Sequence, residues 1–299
     1  MAFGRPDAGC AGILRAVLVR VLGTVAVLAA CAAAWAVAAS GQATAPVAPA
    51  PPPAQPAPPP AFGLVGEKVS PRRAFFGRRA VRIEFRFTGA AALDLRVEVV
   101  RHSSRKVVRR FELPAAAPDV PQRLRWDGLT DKRRAASDGR YGVRVVAPGG
   151  RVRRAGALTL RGHMFPVRGP HAERGPVGAF GAARNGGRTH EGFDVNAACG
   201  TPLVAARAGR VTRSSYDPLL YGHDVIIRGR LNGRSYRYSH LLRRARVRRG
   251  DLVRTGQRIG SVGNTGNARS TGCHLHFELR RRGAPIDPEG PLHAWDGWS

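Results

Sequence analysis

Gly272-Cys273-His274-Leu275-His276-Phe277-Glu278-Leu279 is the stretch on which the reading of this chain turns. Polar and apolar residues alternate along it, the period of a strand with one buried face. His274, His276 and Glu278 share one side, and Leu275, Phe277 and Leu279 the other. A lone histidine on a strand is usually structural, but two on one face, backed by an apolar face, can approach one metal ion together. Upstream the chain reads His190-Glu191-Gly192-Phe193-Asp194, with Gly186 and Gly187 just before it. On a helix, four-residue spacing would align His190 with Asp194. The glycines argue instead for a loop leading into a strand. Neutral imidazole and carboxylate are the donors a catalytic zinc takes when three protein ligands leave a fourth position open.

Around these segments the chain is dense in glycine and valine, and long amphipathic helical patterns are missing. Pro202-Leu203-Val204-Ala205-Ala206, Asp224 to Arg228 and Ser235 to Ser239 read as strands, with Asn232-Gly233 as a hairpin pair between the last two. Residues 161–299 are therefore expected to form an antiparallel β domain. Residues 63–160 carry a second set of short strands. Val81-Arg82-Ile83-Glu84-Phe85-Arg86-Phe87 alternates strictly, and Leu95 to Val99 and Tyr141 to Val145 repeat the pattern. Trp126-Asp127-Gly128 and Ser137-Asp138-Gly139 supply the turns between them. This segment is read as a small immunoglobulin-like β-sandwich, making the whole chain all-β. It carries no polar cluster suggestive of chemistry.

Residues 41–62 are almost wholly Ala, Pro, Gln and Val, with Pro51 to Pro53 and Pro58 to Pro60, the composition of a semi-rigid extended spacer. Residues 1–40 read as an export signal or membrane anchor. Arg5, Arg15 and Arg20 precede an uncharged apolar run from Val21 to Ala39. The run is compatible with cleavage before Gly41, with small residues at Ala36, Ala38 and Ala39, or with an uncleaved span through which the chain is held to a membrane. Leu28-Ala29-Ala30-Cys31 also resembles a lipoprotein processing box. Each reading puts the remainder outside the cytoplasm, secreted or anchored at the cell envelope.

The formal charge is +29, and apart from Lys68, Lys106 and Lys132 the cations are arginines. Such a surface attracts polyanions, acidic wall polymers among them. No nucleic-acid reading element is recognisable, so no specific nucleic acid is expected. There are four cysteines: Cys10 and Cys31 in the leader, Cys199 and Cys273 beside the two histidine segments. No CxxC spacing supports a structural zinc site. In an oxidising compartment Cys199 and Cys273 are expected to pair as a disulfide; two buried thiols are the alternative.

Five segments then fall in a telling order: His190 to Asp194; Cys199-Gly200-Thr201-Pro202; Tyr238-Ser239-His240-Leu241; Gly256-Gln257-Arg258-Ile259-Gly260; and Gly263-Asn264-Thr265-Gly266 through Glu278. Over roughly residues 161–290 the chain resembles the lysostaphin-like (LytM, M23) metallopeptidases, which hydrolyse peptide bonds in peptidoglycan with one zinc ion. The resemblance implies His190, Asp194 and His276 as the zinc ligands, with His240 and His274 as the two catalytic histidines beside the metal. Which of those two takes a proton and which donates to an oxyanion stays open. It further implies an exported zinc endopeptidase acting on stem or cross-bridge peptides. The alternative is a catalytically silent regulator or wall-binding module on the same fold. Glu278 is expected to accept a bond behind a ligand. His223 is assigned to a turn, His102, His163, His171 and His293 to structural or surface duty, and Asn185 is a weak candidate for substrate contact.

Overall fold

A computed structural model describes residues 62–298 of the chain, all within one compact unit. The leader, its two cysteines and all but the last residue of the Pro/Ala-rich spacer lie outside the described residues. No helix among the described residues is long and apolar enough to cross a membrane.

The first half builds two facing sheets. Strands β1 (Gly63–Ser70), β3 (Val81–Thr88) and β6 (Gln122–Trp126) form one, in the order β1-β3-β6. Strands β2 (Arg73–Phe75), β4 (Leu93–Arg101), β5 (Val107–Ala116), β7 (Gly139–Ala147) and β8 (Arg151–Arg161) form the other, in the order β2-β8-β7-β4-β5. Alternation decides which side chains meet: Ile83, Phe85 and Phe87 of one sheet bury against Val97, Val99, Val143 and Val145 of the other, while Arg82 and Arg86 point outward. Trp126 is fully buried and donates its indole N–H to Leu129 O at 2.8 Å, so the polar end of the largest core side chain is satisfied. The Tyr141 hydroxyl reaches back to Ser137 O in the turn the sequence marks.

The second half is one large antiparallel sheet. Its strands are β9 (His171–Glu173), β12 (Phe193–Ala197), β14 (Gly209–Asp217), β15 (Gly222–Gly229), β16 (Arg234–Leu241), β17 (Leu252–Val253) and β19 (His274–Arg281), in the order β17-β14-β15-β16-β19-β12-β9, with β20 (Ala284–Ile286) pairing on β19. A ribbon of β10 (Ala183–Arg184) and β11 (Arg188–Thr189), and a pair β13 (Pro202–Val204) and β18 (Arg258–Ser261), complete it. Leu275, Phe277 and Leu279 enter the core together with Tyr236, Tyr238, Val225 and Ile227. The expected hairpin at Asn232-Gly233 is a wider loop, with Leu231 and Gly233 both left-handed, so the turn spans four residues between β15 and β16. One helix, α1 (Glu289–Asp296), escapes the sequence reading; two turns long, it buries only Leu292 and Trp295.

The two halves share contacts. Phe75, Met164 and Val204 form a small apolar cluster, with Trp298 against it. The Thr255 hydroxyl accepts from Ala208 N–H at 2.8 Å and donates to Phe76 O.

Cys199 and Cys273 are joined as a disulfide, with Cα atoms 5.3 Å apart and a sequence separation of 74. One follows β12 and the other directly precedes β19. Closing a loop of that length removes much entropy from the unfolded chain. Replacing both cysteines by serine should lower the unfolding free energy by about 2–5 kcal/mol in denaturant titrations without reductant. Thiol titration of the native described portion should find no free cysteine.

Candidate active site

Strands β12 and β19 pair antiparallel with Asp194 directly opposite His276 and Phe193 opposite Phe277. The alternation that sends Phe277 inward therefore sends Asp194 and His276 to the other face. His190, in the loop before β12, folds over them. Gly192 makes this approach possible: a Cβ there would sit 2.7 Å from His276 Cε1 and 2.6 Å from Phe277 O. All three polar side chains are buried.

Their donor atoms converge. His190 Nε2 lies 2.8 Å from His276 Nδ1, and each lies 3.0 Å from Asp194 Oδ1. The outer nitrogens fix the tautomers. His190 Nδ1 sits 2.8 Å from Ala179 O and His276 Nε2 sits 3.3 Å from Glu278 Oε1, so both outer nitrogens carry the protons. Two imidazole lone pairs and a carboxylate oxygen thus face one another at contact distance, an arrangement that needs a positive charge at its centre. A proton can supply it: burial alone would lower the His276 pKa, but its bonds to Asp194 and Glu278 outweigh burial and raise it. Burial likewise works to raise Asp194, yet His190 and His276, once a proton sits between them and the carboxylate, hold it well below the usual carboxylate range through hydrogen bonding and charge. A divalent cation fits the same donor set, two neutral nitrogens and one oxygen.

Behind His276, Glu278 is fully buried and tied to Arg237 at 3.2 Å and Arg280 at 2.7 Å. Burial opposes its ionisation, but the His276 bond and these guanidiniums bring its pKa down to about 2. A permanently ionised Glu278 holds the His276 ring and its tautomer in place.

His240 and His274 stand beside this trio, with ring centroids 4.9 Å apart and His240 5.8 Å from His276. His240 has φ +59° at the end of β16, a left-handed conformation in a buried non-glycine residue. Its backbone N–H bonds Tyr221 O, and its Nδ1 lies 2.8 Å from Thr265 O. The Nε2 lone pair is left facing the cleft. Burial first, and then the neighbouring His276 and His274, push the His240 pKa down to about 3. His274 is also lowered, chiefly by burial.

All five residues line one cleft of about 600 Å³. The sequence reading missed Tyr221 and three arginines, Arg174, Arg184 and Arg188, in the same cleft. Tyr221 lies two residues before His223. His223 contacts Tyr216 and takes Thr265 Oγ1 on its backbone N–H. The arginines carry no sequence signal, being few among many. Asn185 is exposed in the turn between β10 and β11 and does not line the cleft. His163 stacks on Trp295, His171 bonds Gly169 O, His293 contacts Glu173, and His102 is exposed, all away from the site.

Residues 188–288 match the family described as Peptidase family M23. A peptidase M23 domain therefore occupies this part of the chain. Among curated relatives, the peptidoglycan DD-endopeptidase ShyC of Vibrio cholerae is 43% identical over 101 residues, which is 34% of this chain and 22% of that protein. An uncharacterized metalloprotease of Haemophilus influenzae is 38% identical over 103 residues, 34% of this chain and 20% of its own length. The chain thus spans about a fifth of the length of these two relatives. Among solved structures, the catalytic domain of lysostaphin from Staphylococcus simulans matches with 27% identity and a TM-score of 0.35, over 42% of this chain and 92% of that one.

The left-handed backbone at His240 gives a test of what that residue does for the fold and for the site. Glycine accepts φ +59° without the Cβ penalty, roughly 1–2 kcal/mol for other residues. His240→Gly should therefore be more stable than His240→Ala by about 1 kcal/mol in thermal or denaturant unfolding. Both should lose whatever chemistry the imidazole performs.

Proposed function

We propose that the chain is an exported, zinc-dependent endopeptidase that hydrolyses peptide bonds in the stem or cross-bridge peptides of peptidoglycan. The observation that carries this reading is the convergence of His190 Nε2, Asp194 Oδ1 and His276 Nδ1, all mutually within 4.8 Å, with two further histidines in the same cleft. His190, Asp194 and His276 would hold one zinc ion. When bound, zinc supplies a Lewis acid that makes water nucleophilic near neutral pH and polarises a carbonyl.

The remaining roles follow from the tautomers. His240, neutral and with its Nε2 lone pair toward the cleft, takes the proton of the attacking water. His274 Nδ1 lies 2.6 Å from Arg174 Nη1 and 2.9 Å from Gly272 O. It cannot accept from one and donate to the other. A guanidinium only donates, and its contact is the shorter, so His274 accepts there and carries its proton on Nε2. That N–H faces the cleft and is placed to donate to the oxyanion of the tetrahedral intermediate. The burial that keeps both rings neutral serves this division, because a protonated His240 could not act as a base.

The likeness to a protein named as a peptidoglycan DD-endopeptidase supports the substrate assignment. The basic leader with its apolar run supports export, and the +29 charge suits an environment of acidic wall polymers. The sandwich of residues 63–160 serves as a spacer or binding module between leader and peptidase.

Incubation of the zinc-loaded chain with isolated peptidoglycan should release new amine termini, and chelation should stop it; a loaded chain that releases none is the silent regulator. His276→Ala or Asp194→Ala should abolish stoichiometric zinc by elemental analysis, whereas retained zinc would overturn the ligand assignment. His240→Ala should keep zinc while turnover falls by ~10²-fold or more.

Acidification acts on zinc through the imidazoles, since protons compete for the same lone pairs. The raised pKa of His276 in the metal-free protein means that zinc must displace a proton there as pH falls. Zinc affinity should therefore drop as pH is lowered through the imidazole range. His240, at about 3, stays a base throughout that range. Activity and bound zinc should accordingly decline together, measured in parallel across pH 7 to about 5.

A further inference from the structure

The cleft holds more guanidinium than its own acids can neutralise. Its carboxylates are Glu191, Asp194 and Glu278, and each is already engaged. Glu278 pairs with Arg237 and Arg280, Glu191 pairs with Arg280, and Asp194 faces His190 and His276. Arg184 Nη2 makes a long ion pair, 3.7 Å, with Asp194 Oδ2, a carboxylate already shared with two histidines. Among the described residues, Arg174 and Arg188 form no ion pair.

Two of these arginines are set against each other. Arg184 on β10 and Arg188 on β11 are direct cross-strand partners in a two-stranded ribbon. Side chains directly opposite in an antiparallel pair project from the same face, and like charges there repel. Neutral carbonyls hold the guanidiniums: Arg184 Nη2 donates to Val177 O at 2.8 Å, and Arg188 Nε donates to Asn185 O at 3.4 Å. Carbonyls orient a guanidinium without cancelling its charge. The turn of Asn185–Gly187, with Gly186 and Gly187 at φ +74° and +69°, folds the ribbon so that both arginines line the cleft beside His190.

We propose that Arg184 and Arg188 form a subsite for a carboxylate of the substrate, making the enzyme selective for peptides that carry a free acid group near the cleaved bond. This inference rests on the endopeptidase reading and adds the substrate's charge to it. A planar guanidinium is matched to a carboxylate and can bind it through two parallel N–H donors. An anion between the two side chains also relieves their mutual repulsion, a gain that an amide cannot supply.

The test uses a fluorescein-labelled peptidoglycan tetrapeptide with free side-chain and C-terminal carboxylates, and the same peptide with those groups converted to amides. Binding to the full chain is read by fluorescence anisotropy in the presence of 1,10-phenanthroline, a neutral chelator that blocks hydrolysis and adds no competing carboxylate. Hydrolysis is read separately on the zinc-loaded chain. Wild type should bind the acid peptide about tenfold or more tighter than the amide, the scale of a charged hydrogen bond. Arg188→Gln should lose most of that preference, and Arg188→Lys should retain part of it. In hydrolysis the loss should fall on KM rather than on kcat. Arg188 is exposed, so its replacement leaves the fold intact; Arg184→Gln is the second variant. Equal affinity of wild type for the two peptides overturns the proposal, as does a preference unchanged in both glutamine variants. A zinc-loaded chain that releases no amine termini from isolated peptidoglycan refutes the endopeptidase reading, while the anisotropy result still decides the subsite.

Discussion

Asp194 meets His276 because β12 and β19 pair in one register, and the core enforces that register. A slip of one residue would turn Phe277, Leu275 and Leu279 out of the core and His274, His276 and Glu278 into it. The apolar face thus sets the geometry of the polar one. The hydrophobic effect decides the strand pairing, and the donor atoms arrive at their places as a consequence. Once there, two lone pairs and a carboxylate oxygen repel one another unless a positive charge sits between them. The stability of the sheet opposes that repulsion and holds the three donor atoms together.

Several local features serve the same end. The disulfide joins the chain just after β12 to the chain just before β19, so it restrains the two strands that carry the donor atoms. Gly192 lets the His190 loop cross close over His276. Glu278, clamped by Arg237 and Arg280, holds the ring of His276 from behind, and Arg237 in turn lies 3.5 Å over the Tyr221 ring. His240 is kept in a left-handed conformation that histidine adopts at a cost. Strain of this kind persists only where surrounding contacts over-determine the backbone. Here they are Tyr221 O on its N–H and Thr265 O on its ring.

Much of this was legible in the residues. Strict alternation in Val81 to Thr88 and in His274 to Leu279 announces strands with one apolar face, because period two has no other common source; in the second strand the polar face is buried as well, under the loops that close the cleft. His190 and Asp194 belong to a loop and the strand that follows it, as the glycines around them suggest. Features that depend on tertiary context were not legible. The helix α1 is too short for a periodic signal, with only Leu292 and Trp295 buried. The Asn232-Gly233 turn widened because Leu231 also takes a left-handed conformation, which no local rule anticipates for leucine. The cleft arginines were hidden by abundance: in a chain where arginine dominates the 49 basic side chains, composition cannot single out the few beside the metal-type cluster.

Thr255 links the two halves through a single hydroxyl that accepts from one backbone and donates to another. Phe75, Met164 and Val204 close over the same seam, and the Phe76 ring lies under Arg207. A joint made of buried backbone bonds and interlocked apolar groups resists swivelling, since any rotation would strand those donors and acceptors. The cleft is therefore aimed by the whole body. Both sheet systems must turn as one, and whatever fixes the orientation of the first sheet pair also fixes the direction in which the cleft faces.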